Sequence, residues 1–292
     1  DKDGNDATNE LTYLILDSAD EVRTPHFTIT IRVNENTPQK LMHRGMEIVK
    51  TGLGMPAFVS DKSYIKGLMD QGVSQEDARN FALAGCLDLN IPGGSRINAI
   101  GMFISPKVFE IFMRNGYHKD LDMQLGPKTG EWKDFKNYED FYKAFQTQLL
   151  YFQSMYSEEH NVLCYCSRYT QSDVILSAFA EDGIACGRDI NNRKMPYENA
   201  SVMNNVGMIN VANSLAAVKK LVFEDKLCDI ETMRKALEAD WEGYEDLHKA
   251  CLEAPKYGNG DPFVDNILGD LYKTWCDGAR KLTTIYGVQP RP

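Results

Sequence analysis

The sequence predicts an α/β fold, and three observations carry that prediction. Short apolar or alternating runs of strand length are each followed by stretches of helical periodicity. The 292 residues are 43% hydrophobic and 25% charged with only 11 prolines, the composition of a chain that buries an ordinary core. No internal repeat or low-complexity linker divides them, so the chain reads as one domain.

Leu11 to Leu16 is an apolar run ahead of the acidic stretch 17–21, and it predicts a helix ending near Val22. Phe27 to Val33 alternates with period two and is rich in β-branched residues, which predicts a strand. Asn34 to Pro38 supplies turn chemistry, and a helix follows to about Lys50. Gly52 and Gly54 close it, Met55 to Val59 has the length of a buried strand, and Ser60 caps the next helix. Ser74, with Glu76 and Asp77 in the first turn, opens a helix that ends in the run Phe81 to Cys86.

Pro106 to Asn115 reads as a helix stopped by Gly116, and Tyr138 to Tyr156 as a longer amphipathic helix capped at Asn137. Val162 to Cys166 is a candidate strand; there Cys164 and Cys166 would face one side and Tyr165 the other, all three as packing residues. Ser172 to Ala185 is a further helix. Val211 to Glu224 carries the strongest helical signal, with Leu215, Val218, Leu221 and Val222 on one face and Lys219 and Lys220 towards solvent. Asp229 to Glu242 and Val264 to Tyr286 complete the helical elements.

Charge and composition exclude several functions. Thirty-two basic against 42 acidic side chains leave a net charge of −10, with no basic cluster to follow a phosphate backbone, so nucleic acid is not an expected partner. The longest apolar stretch, Val206 to Val222, is interrupted by Asn210, Asn213, Ser214 and Lys219, short of the roughly 18 unbroken residues of a membrane span. The N-terminus has neither the positive start nor the apolar run of a secretion signal. It also lacks an initiating Met, and the last residues enter another element, so both ends are expected to be truncated. Seven cysteines without a CxxC pair suit a reducing cytosol, and five scattered histidines form no metal-binding unit.

The stretch that stands apart chemically is Gly85-Cys86-Leu87-Asp88, followed by Asn90-Ile91-Pro92-Gly93-Gly94-Ser95-Arg96. A thiol with a carboxylate two residues on can place both groups on one side of an extended backbone. The bland alternative makes Cys86 a small buried hydrophobe and Asp88 a turn former. Gly93-Gly94-Ser95 lacks the Lys and the spacing of a phosphate loop. His118, beyond Asn115-Gly116, reads as a helix-end residue capping carbonyls, or else as a polar contact to a substrate hydroxyl. Asn204 and Asn205 read as a turn rather than a cavity lining.

Five separated blocks occur in an order that resembles the glycyl radical enzymes of the pyruvate formate-lyase type. They are residues 4–11, Thr51 to Phe58, the Gly85-Cys86 loop, Asn213 to Phe223, and Pro255 to Asn259, and the resemblance covers essentially the whole chain. It implies a ten-stranded β/α barrel, two antiparallel sets of five parallel strands wrapped by helices, with a cysteine loop in the interior. Cys86 matches the residue that receives a radical from a backbone glycine and abstracts hydrogen from substrate. The resemblance also implies an S-adenosylmethionine-dependent iron-sulfur activating enzyme as partner, a homodimer for the full-length protein, and no bound cofactor or metal. The family's glycine pattern, Arg-Val-x-Gly-aromatic, does not occur in the 292 residues, so this piece alone is expected to be inactive.

Departures from the family pattern narrow the reaction. Pyruvate-cleaving members carry two adjacent cysteines, whereas Cys86 stands between Gly85 and Leu87. Many other members carry Gly-Cys-x-Glu; Asp88 keeps the carboxylate and draws it back by about one carbon–carbon bond, roughly 1.5 Å. The reading taken first is an arylacetate-type decarboxylase. The alternatives are a dehydratase or other C–heteroatom lyase with Asp88 as base, and a fumarate-adding synthase in which Arg96 holds a dicarboxylate. A non-enzyme alternative is a truncated, inactive scaffold.

Overall fold

Hydrogen-bonding side chains placed just before apolar runs start most of the long helices, and strand pairs fill the gaps between them. The computed structural model describes residues 1, 3–24, 28–85, 87–96, 101–197 and 203–290. The chain forms two compact units: Asp1–Ile97 with Ser172–Glu198, and Asn98–Gln171 with Asn199–Pro292.

Helix α1 (Glu10–Val22) begins at a capping box, in which Asn9 accepts from the Thr12 N–H and Thr12 returns a hydroxyl acceptor to the Asn9 N–H. Strand β1 (Thr30–Val33), helix α2 (Gln39–Ile48) and strand β2 (Ala57–Ser60) form a β-α-β unit, with β1 and β2 parallel in the register Thr30 to Ala57 through Val33 to Ser60. The observed β1 starts later than the run Phe27 to Val33 suggests, and Phe27 lies outside the described residues. Leu16, Ile31, Leu41 and Ile48 share one small core. Gly45 is what lets α2 lie close on the strands: a Cβ there would sit 2.7 Å from Ile31 Cδ1 and 2.9 Å from a Phe58 ring carbon.

Ser60 caps α3 (Asp61–Met69) by accepting from the Ser63 N–H. Asp61 is buried and receives Arg32 Nε at 2.7 Å and Asn34 Nδ2 at 3.1 Å. Ser74 caps α4 (Gln75–Arg79), which stops well before the Phe81–Cys86 run assigned to it by sequence. That run instead contributes β3 (Ala82–Ala84), antiparallel to β4 (Asp88–Asn90). A short apolar run fits helix and strand equally by periodicity, and pairing with a distant partner decides.

In the second unit, β5 (Phe103–Ile104) leads into α5 (Ser105–Phe112), the hairpin β6 (Tyr117–His118) and β7 (Met123–Gln124), and the long α6 (Tyr138–Thr170). Asn137 caps α6 as expected, accepting from the Asp140 N–H at 2.8 Å, but the helix runs through the segment 162–166 assigned to a strand. Cys164 is buried while Tyr165 and Cys166 are exposed, as helical rotation requires. A nucleated helix extends at one hydrogen bond per residue, so five apolar residues at its end follow the helix already formed.

The Ser172–Glu198 segment, back in the first unit, holds two short helices, α7 (Val174–Phe179) and α8 (Gly183–Cys186), where one was expected; Asp182 at φ +55 breaks the run. Asn205, expected in a turn, lies in β8 (Asn205–Val206), parallel to β5, and accepts from the Ser105 hydroxyl. Helix α9 (Met208–Val218) continues through wide turns to Glu224. Helices α10 (Ile230–Glu238), α11 (Glu245–Glu253) and α12 (Pro262–Ala279) follow; α12 ends before Tyr286, and α11 has no counterpart in the sequence assignment. Lys219 departs from its expected solvent face: its ammonium lies 4.7 Å from the Phe263 ring centre and 5.2 Å from that of Tyr138.

This unit is held by aromatic packing. Phe112 and Phe141 pack edge to face at 5.0 Å, Phe109 and Phe145 at 5.3 Å, and Phe103 tilts against Trp275 at 4.7 Å. Among the described residues no helix is long and apolar enough to cross a membrane.

Candidate active site

The stretch singled out by sequence is a hairpin tip. Ala84 and Asp88 face each other at the end of the β3–β4 ladder, and residues 85–87 make the connection. Gly85 takes φ +52, and the Leu87 N–H closes the turn on the Ala84 carbonyl at 3.1 Å. Leu87 itself sits at φ +143, a backbone that side-chain-bearing residues rarely adopt and that costs on the order of 1–3 kcal/mol. Strained backbone of this kind concentrates at functional sites. Cys86 lies outside the described residues.

Asp88 is half-buried, and its carboxylate folds back over the turn: a Cβ added to Gly85 would lie 3.2 Å from Asp88 Oδ2. Glycine suits position 85 for its positive φ, and a Cβ there would press on the Asp88 carboxylate. Leu89 packs against the small core around Phe81 and Ile91, so strand alternation puts Asp88 and Asn90 together on the other face.

The hairpin leaves through a turn fixed by polar groups. The buried Ser95 hydroxyl accepts from the Ile91 N–H at 2.8 Å and donates to Asn90 Oδ1. The Gly94 and Ser95 N–H groups both donate to the Ile91 carbonyl. Gly93-Gly94-Ser95 is therefore a turn closed on the Ile91 carbonyl. Arg96 is 4% exposed, with Nη1 donating to the Ile190 carbonyl and Nη2 to that of Arg193. These are the two nitrogens that an arginine offers side by side to a carboxylate. The expectation for Arg96 is a hold on a dicarboxylate; in the structure its Nη1 and Nη2 grip the backbone carbonyls of Ile190 and Arg193. Sequence reasoning missed Ser95 and the partner stretch 190–197; the Gly93-Gly94 pair was the available signal of a close approach.

His118 belongs to the second unit, on β6, where Nδ1 accepts from the Leu121 N–H at 3.2 Å. Its expected capping of helix carbonyls is replaced, at that nitrogen, by an acceptor role inside the hairpin. A hollow of about 470 Å³ in the same unit is lined by Phe109, Met113, Val218, Met233, Trp241 and Cys251 among others, and by none of the described residues of the β3–β4 hairpin. Burial pushes the Cys228 thiol up to about 11, with Cys251 nearby adding to it, and burial raises Cys251 and Cys276 as well. None of these three suits thiolate chemistry at neutral pH. Among the described residues no cluster of three or more His, Cys, Asp or Glu side chains stands ready for a metal ion.

The pyruvate formate lyase-like model matches residues 1–292, and the chain belongs to that family. It is 32% identical over 291 residues to the trans-4-hydroxy-L-proline dehydratase of Clostridioides difficile, covering 99% of this chain and 37% of that protein. The solved hydroxyproline dehydratase from the same organism, with trans-4-hydroxy-L-proline bound, superposes with a TM-score of 0.92 at 31% identity, over 100% of this chain and 37% of that one. The (2S)-3-sulfopropanediol dehydratase of Klebsiella oxytoca is 30% identical over 280 residues, 94% of this chain and 34% of its own. The 4-hydroxyphenylacetate decarboxylase glycyl radical subunit of Clostridioides difficile (strain 630) is 29% identical over 329 residues, 96% and 36% respectively. The chain thus spans about a third of the length of these relatives, 34% to 37%.

Proposed function

We propose that the full protein is a glycyl radical lyase that eliminates water, or another heteroatom group, from a small hydroxylated substrate. Cys86 is the hydrogen-abstracting residue and Asp88 the base in this reading. The observation that carries it is the Asp88 carboxylate folded back over Gly85, on the turn that holds position 86. The names of two relatives, a hydroxyproline and a sulfopropanediol dehydratase, support it.

The radical itself comes from a backbone glycine in the full protein, installed by an S-adenosylmethionine-dependent activating enzyme. Within this chain the steps balance as follows. The Cys86 sulfur takes a hydrogen atom from the carbinol C–H, forming S–H, and Asp88 accepts the hydroxyl proton. The carbonyl that forms drives off the neighbouring C–O bond; the departing hydroxide takes the proton from Asp88 and leaves as water. The product radical then takes the hydrogen atom back from sulfur. A thiol serves because hydrogen atoms rather than thiolates move, so no lowering of its pKa is needed. The parallel pairs β1–β2 and β5–β8 belong, in this proposal, to the ten-stranded barrel of the intact enzyme.

A second reading, arylacetate-type decarboxylation with the same two residues, is supported by the 29% identity to the decarboxylase subunit. The test is to activate the intact protein anaerobically and assay trans-4-hydroxy-L-proline, vicinal diols and 4-hydroxyphenylacetate side by side. The expected result is dehydration of a hydroxylated compound, abolished in Cys86→Ser while the glycyl radical signal persists. Turnover surviving in Cys86→Ser, or decarboxylation with no elimination from any hydroxylated compound, overturns the proposal.

A further inference from the structure

The β3–β4 hairpin is too small to hold its own tip. Each strand has three residues, and the tip contains a strained Leu87, so the position of the carboxylate depends on what holds the exit of β4. That exit is gripped by chain nearly a hundred residues away. The Glu181 N–H donates to the Gly93 carbonyl at 2.8 Å and the Tyr197 N–H to the Gly94 carbonyl at 2.9 Å. Arg96 then reaches the Ile190 and Arg193 carbonyls, 94 and 97 residues along the chain. Arg193 returns the connection by donating to the Glu181 carbonyl at 2.8 Å.

The fit along this seam is close. A Cβ on Gly94 would lie 3.1 Å from Tyr197 Cδ2 and 3.3 Å from Ile91 Cγ2, and the Tyr197 hydroxyl is anchored on Asp77 at 2.6 Å. Ile91, Ser95 and Arg96 are all buried, at 2%, 6% and 4% exposure. A planar guanidinium that holds two carbonyls three residues apart fixes both distance and orientation between the two stretches, which a single ammonium cannot do.

We propose that Arg96 is a positioning residue: by pinning the exit of β4 to the 190–193 stretch it sets where the Asp88 carboxylate meets the substrate. This rests on the assignment of Cys86 and Asp88 given above. Hydrogen transfer needs the reacting atoms about 3–3.5 Å apart and aligned, and a misplacement of about 1 Å can cost on the order of 100-fold in rate. In this proposal Arg96 acts on the turn, through the Ile190 and Arg193 carbonyls.

The experiment uses the intact, anaerobically activated protein and the hydroxylated substrate the wild type turns over, deuterated at the carbon that gives up hydrogen. Arg96→Lys should lower kcat roughly 10- to 100-fold with KM within about twofold, an unchanged glycyl radical yield and a larger deuterium effect on kcat, because the transfer step becomes slower than release. A purely structural role would lower radical yield and melting temperature without enlarging the isotope effect, and that result overturns the proposal. So does wild-type kcat and isotope effect. Gly94→Ala presses on the same seam without removing the guanidinium and carries the test if Arg96→Lys does not fold; the same pattern at smaller size supports the proposal, and unchanged kinetics overturn it. Cys86→Ser separates the two claims: surviving turnover there sinks the functional reading and this inference with it, whereas a dead Cys86→Ser beside a wild-type Arg96→Lys removes only the inference.

Discussion

The β3–β4 hairpin and the helices packed around Trp275 are held by different forces. The hairpin region has few large buried side chains near its tip; backbone hydrogen bonds, the Ser95 hydroxyl and the Arg96 guanidinium fix it. In the second unit Phe112, Phe141, Phe145, Leu149, Leu215 and Trp275 are each at or below 1% exposure, and their rings interlock. Non-directional packing tolerates small shifts in where any one atom sits, whereas hydrogen bonds fix direction and length. Groups carried on a hydrogen-bonded frame such as the hairpin can be placed finely.

If that division holds, removing one carboxylate oxygen's basicity at the tip should affect chemistry and leave the fold alone. Asp88→Asn in the intact enzyme should lower kcat for elimination by about 10²- to 10⁴-fold, the usual worth of a positioned base, with an unchanged thermal midpoint. An unchanged kcat would take Asp88 out of the mechanism. The opposite substitution is Phe145→Ala, which opens a cavity where the ring meets Phe109 and Phe112. It should cost about 3–5 kcal/mol in the urea unfolding of the second unit while turnover per glycyl radical stays near wild type. A loss of turnover per radical larger than the loss of folded protein would break the comparison.

Smaller effects sharpen it. The Tyr197 hydroxyl and Ser74 hold the Asp77 carboxyl below its usual range. A carboxyl lowered in the folded state stabilises above its unfolded pKa, near 4, and that contribution fades as pH falls through the lowered folded value. Tyr197→Phe should therefore cost at most a few tenths of a kcal/mol at pH 7, about what a solvent-screened contact is worth, and the difference from wild type should shrink below about pH 4. A pH-independent difference would assign the effect to packing. At the alkaline end, burial pushes Tyr142 up to about 12 and Tyr138 higher still. For these phenols the neutral form is the one folding favours, so their contribution is complete below the ordinary value near 10 and is lost as pH rises through the folded value. Ultraviolet titration should show both ionising late, together with the melting of the second unit. The smallest effect is kinetic: at pH 8 the exposed Cys166 and Cys186 should alkylate well before Cys228, whose thiol burial pushes up to about 11.

Local chemistry made much of this legible in the sequence. Ser60, Ser74 and Asn137 cap helices where their spacing from the first apolar turn says they should, because a cap is a contact over three residues. The apolar faces of α9 and α10 follow from period alone. Short apolar runs failed in both directions: Phe81 to Ala84 gave up a helix for a ladder, and Val162 to Cys166 gave up a strand for the continuation of α6. Four or five apolar residues carry no decisive period, so the outcome depends on neighbours the run cannot specify. The backbone contacts of Arg96 were hidden for a related reason, since the carbonyls of Ile190 and Arg193 lie more than 90 residues on, and carbonyls have no letter in a sequence.

The sequence by itself determined the family, through ordered blocks spread over the whole chain, and singled out a candidate site, a cysteine and an aspartate two residues apart beside a glycine. Those are matters of residue identity and short spacing, which covalent geometry transmits directly. Only the tertiary structure decided that Asp88 folds over Gly85, that Leu87 is strained, and that Arg96 grips the chain at 190 and 193. Each of these is a relation between groups that meet only once loop entropy has been overcome by pairing and burial elsewhere, so no local stretch of residues encodes it.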